Sequence, residues 1–451
     1  MGNIRDPHVL GSKPIGKLLL EYSLPAIIGM TVTSLYNIID SIFIGHGVGA
    51  LAISALAVTF PLMNLLIAFC TLVGVGGATI CSIRLGQKDK DGAEHILGNV
   101  TILSLIISVL FAGFNLIFLD DILTLFGASS DTLPYARDFM RIILLGCPIS
   151  YIMIGLSNVM RATGYPTKAM LTQVLSVVSN IIFAPIFIFW LDWGMYGAAI
   201  ATVLSQVVGM SWVLWHFFDN KSYIRFRKEC FKLRKRIAKN ILSIGMSPFF
   251  MNLCACLIAI FINNRLLTFG GDYYVGAFGI VNRMQMLFVM VVLGIAQGMQ
   301  PIVGYNFGAG NIQRVRKSLK YGIAAGVSVT SFGCLCGLFI PELLVKMFTD
   351  DPQMIDKSVD ALTISLLMFP VVGAQIVITQ YFQSIGKAVS AIFLSLSRQL
   401  LFFLPGLIFL PNFFGVKGVW FSMPVSDFMA FVIATVLLIL QFKKIGKENE
   451  K

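Results

Sequence analysis

Long apolar runs alternate with short polar connections along the whole chain. A bilayer-spanning helix needs ~20 mostly apolar residues. Twelve runs of that length lie near 18–43, 53–81, 96–119, 135–157, 170–191, 196–218, 241–266, 275–302, 316–341, 357–380, 389–411 and 418–441. Prolines sit inside them, Pro25, Pro148, Pro185, Pro248, Pro301 and Pro370 among others. Such breaks are tolerated in membrane helices because neighbouring helices and side chains re-satisfy the freed backbone groups.

Polar residues interrupt the runs in a pattern of their own. The first run closes on "SLYNIIDSIFIGHG", and positions 29, 33, 36, 37 and 40 share one helical face. That face reads Gly29, Thr33, Tyr36, Asn37 and Asp40, with Ile28, Leu35, Ile39 and Ile42 opposite. A carboxylate at mid-membrane costs at least ~3 kcal/mol, so such groups usually face a bundle interior or a wet cavity. Asp40 reads either as part of a cavity wall or as an interfacial acid near the outer surface. Gln173, Ser176 and Asn180 recur at helical spacing on the fifth run, and Thr202, Ser205, Gln206 and Gly209 on the sixth. These stripes read either as cavity wall or as polar glue between helices.

The second half carries fewer such groups. Arg398 and Asp427 lie on the eleventh and twelfth runs and Arg283 on the eighth. The first two read either as an ion pair holding helices in register or as substrate contacts. "AQGMQPIVGYNFGAGN" (296–311) ends the eighth run with Gln297, Gln300, the kinking Pro301 and several glycines, a composition suited to a hinge or gate.

Composition agrees with the pattern. The 451 residues are 57% hydrophobic and 12% charged, against about 25% charge in soluble proteins. Mean hydropathy is +0.83. A water-soluble fold is excluded, and the chain reads as a multi-pass integral membrane protein. No cleavable signal is evident, because the first seventeen residues are polar and the run after them is too long for a signal peptide. Cys254 and Cys256, like Cys334 and Cys336, are two apart and point to different helix faces, and the four histidines are scattered, so no metal site is expected.

Charge fixes the expected topology. Alternate connections hold 26 of the 34 Lys and Arg, nine of them between Lys221 and Lys239. The intervening connections are acidic, with Asp120, Asp121, Asp131, Asp350 and Asp351. The positive-inside rule places both termini and the 219–240 linker in the cytoplasm. The net charge of +12 then reads as a strip facing membrane lipids with anionic headgroups, not as a nucleic-acid site.

The halves repeat. Pro25 pairs with Pro248, Gly86 with Gly308, Gly164 with Gly386 and Gly197 with Gly418, at offsets of 221 to 223 residues. Six spans per half is an even number, so the repeat is parallel, a transporter arrangement. The expected fold is an all-α integral membrane protein with twelve transmembrane helices in two pseudo-symmetric six-helix bundles. Residues 1–218 form the first bundle, 219–240 the basic linker and 241–451 the second bundle with a short tail.

"SLPAIIG", "QGMQPIVGYNFGAG" and "SLSRQLLFFLPGLIFLPNFFGVKGVWFSMPVSD" resemble the multidrug and toxic compound extrusion (MATE) family, in its DinF/MepA-like branch. The resemblance covers nearly the whole chain. It implies the MATE/MOP fold and a non-enzymatic exporter of small amphipathic, cationic, drug-like compounds, exchanged for protons or sodium across the cytoplasmic membrane. No cofactor beyond the coupling ion (H+ or Na+) is implied, and a monomer is expected.

The family's first-helix Asp falls on Asp40, its fifth-helix Asn on Asn180 and its sixth-helix Thr on Thr202, a cation-coupling set. Substrate candidates are Thr33, Tyr36, Asn37, Gln173, Ser176, Gln206, Gln297, Gln300, Arg398 and Asp427. The family commonly has a second Asp before the fifth-helix proline, where this chain has Ala184. The alternative reading is a lipid-linked saccharide flippase of the same superfamily, which would want a strongly cationic cavity. An intramembrane transferase would want paired acids or a large soluble loop, and the chain has neither.

Overall fold

The computed structural model describes residues 8–449, except for the side chains of Asn37, Ile38, Ala50, Cys256, Ile260, Asp272 and 446–449. Among the described residues there are helices and no strands. A bilayer interior offers backbone groups no water, and an α-helix pairs them within one segment.

A four-residue helix, α1 (Val9–Ser12), precedes α2 (Ile15–Gly47), α3 (Ala50–Gly86) and α4 (Lys90–Ile117). A short α5 (Leu119–Leu125) leads to α6 (Leu133–Leu145), α7 (Cys147–Ala162), α8 (Pro166–Pro185) and α9 (Gly194–Phe218). After the basic linker come α10 (Lys235–Gly270), α11 (Asp272–Gly308), α12 (Ile312–Phe339) and the short α13 (Pro341–Lys346). The chain finishes with α14 (Pro352–Ser365), α15 (Phe369–Ser384), α16 (Ala388–Leu396), α17 (Leu404–Phe414) and α18 (Val416–Asn449).

Ten of these stretches are long and apolar enough to cross a membrane unaided. The pairs α6–α7 and α14–α15 supply two more spans, bent by 54° and 53°. Twelve spans result, at the twelve places the hydrophobic pattern predicts. Each bend has a proline just inside the following helix, Pro148 in α7 and Pro370 in α15. Proline lacks the N–H that would continue the ladder, and its ring crowds the carbonyl four residues back. The two prolines are separated by the repeat offset, so the bend belongs to the repeat. At the second bend the Pro370 carbonyl accepts a hydrogen bond from the Thr330 hydroxyl of α12, at 3.1 Å. A π-helical segment follows Pro185 (Ile186–Trp190), and another (Ser397–Phe403) precedes Pro405.

The chain packs as two compact units. One comprises 8–14, Leu24–Asn252 and Gly304–Ile312, and the other Ile15–Ser23, Leu253–Val303 and 313–449. In the first, α3, α4, α6, α7 and α9 enclose a core that includes Leu62, Phe111, Tyr151 and Ile188. Its outward positions are apolar too: Ile28, Leu35 and Ile42 are 39%, 52% and 50% exposed. In water that surface would be a liability, whereas in lipid it costs nothing.

The ends of α3 and α11 meet within the first unit at the repeat-related pair Gly86 and Gly308. A methyl group on Gly86 would overlap the Tyr305 carbonyl oxygen, and one on Gly308 the Ile83 carbonyl oxygen. The N-terminal segment closes over this crossing. Asn306 Nδ2 donates to the Leu10 carbonyl at 3.0 Å, and His8 Nδ1 bonds the Tyr305 hydroxyl at 2.8 Å.

Gly86→Ala and Gly308→Ala are each expected to lower the thermal unfolding midpoint in detergent, at a cost of about 1–3 kcal/mol. Because both act on one crossing, the double variant should lose less than the sum of the two. Strict additivity in the melting series would show that the crossing is not shared.

Candidate coupling and substrate site

Three helices of the first unit bring the predicted polar residues together. α2 carries Tyr36 and Asp40 one turn apart on one face, α8 carries Asn180, and α9 carries Thr202. Thr202 is the hub. Its hydroxyl lies 3.0 Å from the Ala198 carbonyl and accepts from Asn180 Nδ2 at 3.3 Å. The Tyr36 hydroxyl lies 3.1 Å from the same oxygen.

A threonine hydroxyl has one proton and two lone pairs. Asn180 fills one lone pair. The Thr202 proton goes either to the Ala198 carbonyl, in which case Tyr36 donates to Thr202, or to the Tyr36 oxygen.

Asp40 is 8% exposed, and its Oδ1 is buried with no hydrogen-bond partner. It is close enough to act electrostatically on the Tyr36 hydroxyl, whose hydrogen-bond partner is Thr202. Leaving a buried acceptor unfilled costs ~1–3 kcal/mol, and more for a charged group. A proton or a cation on the carboxylate would remove that penalty. Asp40 is a buried carboxylate with one oxygen unpartnered.

The surrounding candidates are placed as follows. Ser176 is buried and Gln173 half-buried on α8. Gln206 on α9 accepts a hydrogen bond from the Ser150 hydroxyl of α7, and the Ser205 hydroxyl donates to the Thr202 carbonyl at 2.7 Å. Thr33 turns its hydroxyl back to the Gly29 carbonyl, at 2.9 Å, so it is occupied by its own helix. The side chain of Asn37 lies outside the described residues. Ala184 is wholly buried.

The second unit holds the other candidates. Arg398 Nε donates to Asp427 Oδ1 at 2.8 Å, so the two form an ion pair in this structure. Asp427 is buried, while Arg398 is about a third exposed, at 32% of its side chain. Gln300 is buried and Gln297 half-buried on α11, and Arg283 is exposed. Among the described residues no cluster of three or more His, Cys, Asp or Glu could hold a metal ion.

Some polar groups escaped the sequence reading. Ser150 and Tyr151 follow the bend at Pro148, and the Tyr151 hydroxyl is buried without a partner. On α15, Gln375 Oε1 and Gln383 Nε2 are buried and unpartnered as well. These residues stand in otherwise apolar stretches with no stripe to draw attention. The one available signal was their position just beyond Pro148 and Pro370.

Comparison with known proteins places this geometry in a family. The model of the MatE family matches residues 25–186 and 244–408, one match in each half of the chain. The chain belongs to the MATE family of membrane transporters. It is 28% identical over 425 residues to the multidrug export protein MepA of Staphylococcus haemolyticus, covering 94% of this chain and 93% of the relative. The MepA protein of Staphylococcus aureus is 26% identical over 433 residues, covering 95% and 94%. Among solved structures, a MATE transporter in the bent conformation superposes with a TM-score of 0.94 over 100% of both chains, at 25% identity. The MATE multidrug transporter DinF-BH, solved as a ligand complex, has a TM-score of 0.88 at 37% identity, covering 95% of this chain and 96% of that one. A twelve-span transporter of the MOP fold, and no enzyme, is the class so defined.

Thr202→Val keeps the side-chain shape and removes the hub oxygen, leaving Asn180 and Tyr36 without their partner. The expected loss is about 1–3 kcal/mol per stranded buried group, read as a lower melting midpoint. Thr202→Ser should melt close to wild type, and equal losses for both variants would contradict the hub.

Proposed function

We propose that the chain is a secondary active exporter of small amphipathic, cationic organic compounds, driven by proton influx through a site made by Asp40, Asn180 and Thr202. The unpartnered, buried Oδ1 of Asp40 is the observation that carries this reading. The names of its relatives, multidrug export proteins, and the description of DinF-BH as a multidrug transporter support the substrate class.

In this scheme Asp40 takes a proton from the outer side and releases it on the cytoplasmic side. Loading the carboxylate removes the negative charge that a cationic substrate would share. Proton and substrate therefore weaken each other's binding by the same factor, as linkage requires. The 37 Phe and 20 Met of the chain suit loose, polyspecific contacts with cations.

A proton fits this site better than sodium. Thr202 already serves Asn180, Tyr36 and the Ala198 carbonyl, and Ala184 supplies no second carboxylate. Few oxygens remain to replace an ion's water shell. The flippase alternative is disfavoured because Arg398 is neutralised by Asp427 and offers no free charge to a phosphate. The alternation of basic and acidic connections supports a cytoplasmic-membrane location with both termini inside.

Dye efflux from cells and everted vesicles under imposed gradients tests the proposal. Asp40→Asn is expected to reduce efflux driven by a pH gradient at least tenfold, with expression and melting midpoint retained. Wild-type efflux in that variant would remove Asp40 from the mechanism. Efflux driven by sodium with no pH gradient would overturn the proton assignment.

A further inference from the structure

The sequence reads the basic linker as a charged strip at the membrane surface, and the structure shows it clamped to a helix. Asn99 of α4 accepts from the Arg234 backbone N–H at 2.9 Å and donates to the Lys232 carbonyl at 3.2 Å. The Arg234 guanidinium bonds His95 Nε2. Arg227 Nε lies 2.8 Å from Oε2 of the wholly buried Glu94. A methyl group on Gly98 would overlap the Cys230 carbonyl, so backbone lies directly on backbone there. Ile224 and Cys230 are buried beneath the segment, and Phe226 stacks on Phe231 with ring centroids 5.2 Å apart.

The clamp uses Arg227 and Arg234 and leaves the neighbouring cations outside. Lys228, Lys232, Lys235 and Arg236 are exposed. Between them Phe231 and Leu233 stand 43% and 46% exposed, large apolar side chains that the clamp turns outward instead of burying. Charged and apolar groups exposed together fit a lipid–water boundary, where cations meet headgroups and aromatic or aliphatic side chains enter the acyl layer.

Depth agrees. Gly98, against which the linker lies, and Leu105 share a face of α4 seven residues apart, roughly 10 Å along the axis. Leu105 is 47% exposed, and Ile106, Val109 and Leu110 beyond it are exposed too. The linker thus lies roughly 10 Å along α4 from the start of the exposed apolar belt, a little more than one headgroup layer.

We infer that residues 228–236, held on α4 by Asn99, Glu94 and His95, form a preorganised docking surface for anionic phospholipid headgroups of the bilayer. Lys228, Lys232, Lys235 and Arg236 engage the phosphates, while Phe231 and Leu233 anchor in the adjoining acyl region. The surface stands apart from the Asp40 network and holds whether or not that network couples to protons.

The test compares the full-length transporter in nanodiscs of phosphatidylcholine with and without phosphatidylglycerol. Spin-labelled lipid of each kind reports relative association. Wild type is expected to prefer phosphatidylglycerol by about tenfold, a preference lost in high salt. The quadruple variant K228Q/K232Q/K235Q/R236Q should bring the ratio close to one, with its melting midpoint in pure phosphatidylcholine unchanged. Asn99→Ala keeps every charge but releases the clamp, and should lose most of the preference. A quadruple variant with the wild-type ratio would overturn the docking surface, and an Asn99→Ala variant with the wild-type ratio would overturn its preorganisation.

Discussion

Hydrocarbon offers no hydrogen bonds, and that shortage governs this molecule. Every backbone group inside the bilayer must be paired by the protein itself, so the chain is helical throughout its described spans. At the bend between α14 and α15, Pro370 cannot donate to the Leu366 carbonyl, and the Phe369 N–H bonds that carbonyl at 3.0 Å. The same shortage gives Asp40 its meaning. In water an unfilled carboxylate oxygen is filled by solvent, whereas in a buried polar niche the shortfall carries a cost.

The fold was largely legible because bilayer thickness and helical rise are fixed lengths. Twelve apolar runs became twelve spans, and the repeat-related Pro148 and Pro370 became repeat-related bends. The bends themselves were not foreseen, since a proline within an apolar run can kink, break or merely curve its helix according to the neighbours it meets. The gathering of Tyr36, Asn180 and Thr202 was readable as three separate stripes. Their joint hydrogen bonding was not, because helical spacing says which face a residue occupies and nothing about which face opposes it. Arg398 and Asp427 show the same limit: two readings fitted the sequence, and only the geometry shows them paired. The linker's attachment was likewise hidden, as a stretch dense in cations with no periodicity gives no hint of Asn99 and Glu94 waiting on another helix.

The duplicated halves have diverged in chemistry while keeping their architecture. Arg398 and Asp427 stand about one repeat length beyond Ser176 and Ser205. One half therefore holds a compensated ion pair where the other holds small hydroxyls beside a lone acid. A cancelled charge contributes rigidity, and an uncancelled one contributes responsiveness.

Two compact units usually meet at loops, yet here the chain passes from one to the other inside α2, α10 and α11. The crossings at Ser23–Leu24, Asn252–Leu253 and Val303–Gly304 each fall within a few residues of a proline: Pro25, Pro248 and Pro301. A proline leaves its rod one main-chain link short. Flexing at that point opens a gap that already exists instead of tearing a bond.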